Sequence, residues 1–420
     1  MTSRRTDHCS RRRRAIRRGP TSSRVHLIVT AVILMASFGC SADAATKDGR
    51  THSTPVPVIL PIPAGARSVG VASITWSGEA WFAAGSFRDR EGEHRPGLWT
   101  STDATTWRRI ETAAVTYYGK LSELYSVAGS ARGLVAIGTA TGGAHGNPRT
   151  VSWLLEPDGV LHEVYTDFEL YNGMRQISVR SVTEGPKGWV IFGSRVNQND
   201  QIGATSWTSA TGDDFTIDDD DPELSSEIGE QKFGLDVTTS NGSLIAVGER
   251  TTFASSSIET DGIGWTSVDE TTWTPWLPAG LEFGGVGAQR MQRIDANGAR
   301  IVIAGSETDD DSTAIVAWTS TDDGTWRRGI IDGFGESDDV LSAATSVVAT
   351  TDEFIVAARV GGVLRLATSA DGDEWTTLAI SDELPTGNRA QLTAASNGET
   401  LLVGATSLEG GGLWRSVTDS

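Results

Sequence analysis

The residue types in this chain that could do chemistry are aromatics and acids, and both are unevenly placed. All five tyrosines fall between positions 117 and 171. Tyr117, Tyr118, Tyr165 and Tyr171 lie in or beside connecting segments, while Tyr125 begins an apolar strand. Exposed aromatics gathered in one sector stack on sugars or anchor a protein partner. The plainer reading, that they pack inside the fold, stays open. Carboxylates run together at Asp218 to Asp221, at Asp309, Asp310 and Asp311, and at Asp338 and Asp339. Such oxygen clusters suit calcium, yet no DxDxDG loop accompanies them. Solvated loops are therefore the plainer expectation: no cofactor, with calcium at Asp309, Asp310 and Asp311 as the alternative. His52, His94, His145 and His162 form no HExxH or paired metal spacing. There is no GxSxG elbow, phosphate loop or dinucleotide fingerprint.

What must position these residues is a repeat. Seven times a short aliphatic strand ending near Gly or Ala is followed by a turn reading Trp-Thr-Ser-x-Asp or a worn version of it. The clearest copies are WTSTDATTW from Trp99, WTSVDETTW from Trp265 and WTSTDDGTW from Trp318. Weaker ones begin at Trp153, Trp207, Ala367 and Trp414. Each unit also holds a polar turn and a second strand such as WFAAG, WVIFG or IVIAG. Four short β-branched or aromatic strands per repeat predict an all-β fold, a β-propeller of four-stranded blades. Seven blades fit the count, with six or eight as alternatives. The last unit stops at Ser420 without a fourth strand, and Pro55 to Leu60 is expected to supply it. Pro55 and Pro57 suit an edge strand, where only alternate amides face a partner.

The turn resembles the Ser-x-Asp-x-Gly-x-Thr-Trp signature of Asp-box propellers, which include sialidases, photosystem assembly factors and sortilin-like receptors. In that family the element is structural. The resemblance thus implies hairpin clamps at Ser101, Asp103 and Trp107; Ser267, Asp269 and Trp273; Ser320, Asp322, Gly324 and Trp326; and Ser369, Asp371 and Trp375. A sialidase-like enzyme would also bring an arginine cluster for a substrate carboxylate, a tyrosine with a neighbouring glutamate, and an acidic proton donor. Phe87-Arg88-Asp89-Arg90 stands near the place of the family's Phe-Arg-Ile-Pro motif but lacks Ile-Pro. Arg175 and Arg180 are further candidates by position. Together with the four linking tyrosines, Arg88 and Arg175 make up the expected ligand face.

Residues 1–39 read as a signal peptide: a basic stretch, SRRRRAIRR, precedes an apolar run from Val25 to Phe38 that is too short to span a bilayer. Ser37-Phe38-Gly39-Cys40 resembles a lipobox, making Cys40 the expected lipidation site, residues 40–54 a tether and residues 55–420 the propeller. An ordinary secretory signal, a retained anchor and twin-arginine export remain alternatives. The two cysteines, Cys9 and Cys40, leave the folded part without disulfides. The formal net charge is −19. Nine arginines and one acid precede Cys40, so removal of the leader leaves 26 basic against 53 acidic residues. Such a surface argues against nucleic acid as a partner. The expected protein is a monomeric, lipid-anchored binding or scaffold module with an unknown protein or glycan ligand, and the expectation runs against catalysis. The alternatives are a sialidase-like glycoside hydrolase of extracellular glycans and an assembly factor for an envelope complex. Convergence of arginines and two carboxylates at the ring axis would favour the enzyme.

Overall fold

The computed structural model describes residues 51–420 apart from 143–146, 219–220, 279–280, 282, 286, 310–311, 336, 338–341, 381–383 and 420. Cys40, Asp310 and Asp311 lie outside the described residues. Among the described residues seven sheets follow one another along the chain, each built on an antiparallel meander running from an inner strand outward; in the second, Thr112–Ala113 adds a parallel pairing at the outer edge. Their inner strands are Ser68–Trp76, Glu123–Ser130, Gln176–Glu184, Glu230–Ser240, Ala288–Asn297, Ala343–Ala349 and Gln391–Ser396. The expected seven-bladed propeller is thereby established.

The second strand of each blade is small and apolar because both its faces are buried. Trp81–Arg88, Trp189–Val196 and Arg300–Thr308 show this pattern. The core lies between blades rather than within them. Seven buried clusters are present, and each draws its residues from two neighbouring blades. The tryptophans that open the turn element fill these seams, with Trp99, Trp153, Trp207, Trp265 and Trp318 fully buried. One seam joins Leu402 and Leu413 of the last blade to Val71, Trp81 and Trp99 of the first, so the ring is closed by packing.

Closure also runs through the backbone. Val56–Val58 pairs antiparallel with Leu413 to Arg415 and supplies the missing outer strand. Thr51 and His52, expected as part of the tether, instead pair with Asp419 and Thr418. A buried hydrogen bond accompanies this pairing: His52 Nε2 lies 2.8 Å from Glu353 Oε2, and both side chains are buried.

The turn element is a clamp in most blades. Asp103 Oδ1 accepts the amides of Thr105 (2.8 Å) and Thr106 (2.7 Å), and Ser101 Oγ donates to it. Asp269 does the same for Thr271 and Thr272, and Asp371 for Asp373 and Glu374. These amides hold the Asp103 carboxyl below its ordinary range, and that of Asp269 down to about 2. The fifth blade departs from the expectation. There the ladder continues to Ser320 opposite Trp326, whereas the first blade stops at Thr100 opposite Arg108. The shorter loop moves the clamp one residue along: Asp323, not Asp322, accepts Thr321 Oγ1 and the Thr325 amide. Trp326 consequently joins the outer strand and meets Trp276 edge-on, with ring centroids 5.4 Å apart.

Candidate functional site

Six of the seven inner strands carry a bulge, and its position aims side chains into the ring axis. The register breaks between Val71 and Ser73, Leu124 and Ser126, Val179 and Ser181, Gly234 and Asp236, Met291 and Arg293, and Ala344 and Ser346. The recurrent glycine of the second strand makes room for it. A Cβ on Gly305 would stand 1.7 Å from the Arg290 carbonyl oxygen. Replacing that glycine is therefore a backbone clash rather than a packing adjustment.

The residue after each bulge faces the next blade. Ser73 Oγ accepts the Val127 amide at 3.2 Å, Ser126 Oγ the Val182 amide at 3.1 Å, and Ser346 Oγ the Ala394 amide at 3.1 Å. These bonds tie inner strand to inner strand around the axis, and a hydroxyl suffices for each. Blades four and five break the pattern. Asp236 fills the slot in the fourth blade, its Oδ2 accepting the Ile294 amide at 3.1 Å and its Oδ1 the Val237 amide at 3.0 Å. Arg293 fills it in the fifth and reverses polarity, with Nε donating to the Thr345 carbonyl at 2.9 Å. Two residues on, Asp295 Oδ2 accepts the Ala349 amide at 2.9 Å, while its Oδ1 has only a long 3.5 Å contact with Thr238 Oγ1. Serine meets the same structural need elsewhere in the ring, so the clamp alone does not explain the charges.

These residues line an axial channel of about 1110 Å³, together with Tyr125, Arg180 and Glu184. Arg180 stands on the bulge of the third blade and is exposed to channel solvent. Its pKa is lowered by surrounding protein and by the like charge of Arg293. Asp236 is half-buried, and burial raises its carboxyl while Arg293 works in the opposite direction. Asp295 is pushed up to about 6, first by burial, with the Asp236 charge adding to the effect and the Ala349 and Ala296 amides opposing it. Glu249 is raised by burial and held by Arg290, its ion-pair partner at 2.8 Å. The result is one sector, from blades three to five, with two channel-lining arginines and a carboxyl raised to about 6.

The sequence-derived candidates are distributed differently. Arg180 belongs to the channel, but Arg88 donates to the Gly92 and Leu408 carbonyls and fastens blade one to blade seven. Arg175 Nε donates to the Val196 carbonyl within its own blade. Tyr171 is a correction, since it is buried against Trp207 and Phe215 and offers no ligand surface. Its position at the end of a short helix turns the ring inward, into the seam between blades two and three. Tyr117 and Tyr165 are exposed and Tyr118 is half-buried. Tyr125 OH donates to the Val179 carbonyl at 2.8 Å, and burial raises its pKa further. It is therefore not the ionisable tyrosine that a sialidase-like site implies. Asp236, Arg293, Asp295 and Glu249 were missed. Aligning the inner strands by their bulges gives the signal: Ser73, Ser126, Ser181, Asp236, Arg293 and Ser346 occupy one slot, and two of the six are charged.

Metal capacity lies elsewhere. Among the described residues, Glu156, Asp158 and His162 form one group able to hold a divalent cation, on the outer hairpin of the second blade. His162 Nε2 is 3.0 Å from Asp158 Oδ2 and 4.0 Å from Glu156 Oε2, and the group is open to solvent. Of the proposed calcium loop, Asp309 is engaged in a turn with the Ser312 amide.

No family model matches the chain, and no curated protein matches it. Solved structures do. The chain is similar to the polysaccharide lyase Uly1 at 8% identity, over 87% of this chain and 97% of that one, with a TM-score of 0.48. It is similar to the β-propeller domain of the Trilobed protease from Pyrococcus furiosus at 10% identity, over 84% and 98%, with a TM-score of 0.47. Likeness to the Trypanosoma rangeli sialidase, at 13% identity and a TM-score of 0.42, covers 88% of this chain but 58% of that one. Identities this low speak to fold alone. The expectation against catalysis is nevertheless corrected. A Glu-Asp-His group is present, and carboxylates and arginines together line the axial channel, which an expectation against catalysis did not foresee. The chain is a seven-bladed β-propeller, and its likeness to these solved structures is one of fold.

Proposed function

We propose that this protein is a glycoside hydrolase of acidic extracellular glycans that works in its axial channel. The observation that carries the reading is that Asp236 and Arg293 fill a slot where other blades carry serine, with Asp295 and Arg180 lining the same channel beside them. Asp295, protonated below about pH 6, donates a proton to the departing glycosidic oxygen. Asp236 supplies the second carboxylate, which takes a proton from the water that attacks the anomeric carbon as the glycosidic bond breaks; burial raises its pKa and Arg293 opposes that rise. Arg180 and Arg293, which both line the channel, hold a substrate carboxylate by charge-assisted hydrogen bonds. The carboxylate pair supports general glycoside hydrolysis, and Tyr125 gives no support to a tyrosine nucleophile.

The pH dependence tests this. An acid catalyst must be protonated, so kcat/KM for an acidic glycan is expected to fall tenfold per pH unit above about 6. A rate that stays level from pH 5 to 8 would remove Asp295 from the reaction.

Export and lipidation at Cys40 form part of the same proposal. Among the described residues, no helix is long and apolar enough to cross a membrane. Intact mass of the membrane-extracted protein is expected to show a chain beginning at Cys40 with added acyl groups; an unmodified mass would exclude it.

A further inference from the structure

Resting on the channel reading, the geometry points to a second element of the site: an extension subsite on the face that carries the blade links. We infer that Tyr117, Tyr118, Arg149, Phe168, Met174 and Ile177 form a stripe that seats the body of an acidic oligosaccharide whose end enters the channel.

The stripe is continuous. Tyr117 and Tyr118 meet edge to face, with ring centroids 5.4 Å apart. A Cβ on Gly142 would stand 2.2 Å from Tyr118 Cε1 and 3.1 Å from Arg149 Cγ, so ring and stem flank the same point. Arg149 Cζ then lies 5.1 Å from the centroid of Phe168. Met174 and Ile177 follow Phe168 along the chain, and Ile177 lines the channel. These apolar groups are strongly exposed: Tyr117 70%, Phe168 50%, Met174 96% and Ile177 39%. Scattered apolar residues need no explanation, but a connected row leading into a cavity does.

The platform is also held still. Glu163 accepts the Val115 and Thr116 amides and the Thr116 hydroxyl, which fixes the short helix α1 (Tyr117–Lys120). Asn172 exchanges two hydrogen bonds with the Thr150 backbone, fixing α2 (Phe168–Tyr171) on the same blade. Ordering has thus already been done before a ligand arrives.

Charge selects the occupant. The chain is strongly acidic, yet Arg149 makes no ion pair among the described residues and lies between Tyr118 and Phe168. Flat aromatic faces suit the apolar faces of sugar rings, and interleaved guanidinium groups suit their carboxylates. An acidic polysaccharide presents both at regular intervals. An acidic peptide, by contrast, would gain little from a row of open ring faces.

The test uses hyaluronan fragments of two and ten sugar units, titrated by calorimetry into the Asp295→Asn protein, where binding proceeds without turnover. The double change Tyr117→Ala and Phe168→Ala is expected to weaken the ten-unit fragment at least tenfold and the two-unit fragment less than twofold. Equal loss for both lengths, no loss for the long one, or no binding of either to the parent would overturn the subsite. Arg180→Ala separates the two readings, because it is expected to weaken both lengths alike. If Arg180→Ala changes neither while the aromatic pair still matters, the channel reading fails and the stripe stands by itself.

Discussion

Asp295→Asn is expected to abolish glycan cleavage while leaving the propeller folded. A positioned general acid contributes roughly 10²- to 10⁴-fold, and asparagine cannot supply the proton. The amide keeps the shape of the carboxyl, and its oxygen can still accept the Ala349 amide that ties blade five to blade six. Stability should not suffer. An acid whose folded pKa is raised binds its proton more tightly when folded, so stability is lost as pH rises from about 4 to about 6. Above that range the native protein carries the cost of a half-buried charge beside Asp236, which asparagine removes. The expected gain at pH 7 is roughly 1–3 kcal/mol, reduced by whatever the weaker amide acceptor gives up. The pair of measurements is kcat/KM and the denaturant midpoint at pH 7. Retained activity would remove Asp295 from the chemistry, and a collapse in midpoint would make it a structural residue.

Removal of residues 51–60 is expected to have the largest effect on stability. The outer strand Val56–Val58 covers the edge of Gly412–Asp419, and without it a row of unpaired amides and carbonyls faces solvent. Leu60 is buried in the seam between the last and first blades, and burying such a side chain is worth about 1.5–3 kcal/mol. The ladder bonds each contribute about 1 kcal/mol. Loss of His52 leaves the buried Glu353 carboxyl without its hydrogen-bond partner, a further cost of about 1–3 kcal/mol. The sum is comparable with the roughly 5–15 kcal/mol that holds a whole domain together. The truncated chain should unfold at low denaturant or pair its open edge with a second copy. Size-exclusion chromatography and a urea titration distinguish these outcomes. A monomer with an unchanged midpoint would show that packing alone closes the ring.

The fold was legible because a blade is a local object. Its tryptophan turn, small apolar second strand and polar hairpin lie within about fifty residues, and repetition multiplies a weak signal. The closing strand was legible for the same reason, because the seventh unit ends without a fourth strand. The site was not, since it is made by closure. Arg180, Asp236, Arg293 and Asp295 come from three blades and meet only because the ring brings three bulges to one axis. Nothing in the spacing between positions 180 and 295 encodes that meeting. Tyr171 failed for a different reason: four residues before it, Asp167 starts a single helical turn that rotates the ring into a seam. The shift from Asp322 to Asp323 came from one extra ladder pair, Ser320 with Trp326, which a motif read by eye does not register.

The most direct test of the central claim is to incubate the folded protein with a panel of acidic polysaccharides at pH 5.5 and follow new reducing ends by mass spectrometry. The account predicts cleavage of at least one uronate- or sialate-bearing chain by the wild type, with none from Asp295→Asn. Cleavage that survives in Asp295→Asn, or no cleavage of any acidic chain by a protein shown to be folded, would contradict an axial active site.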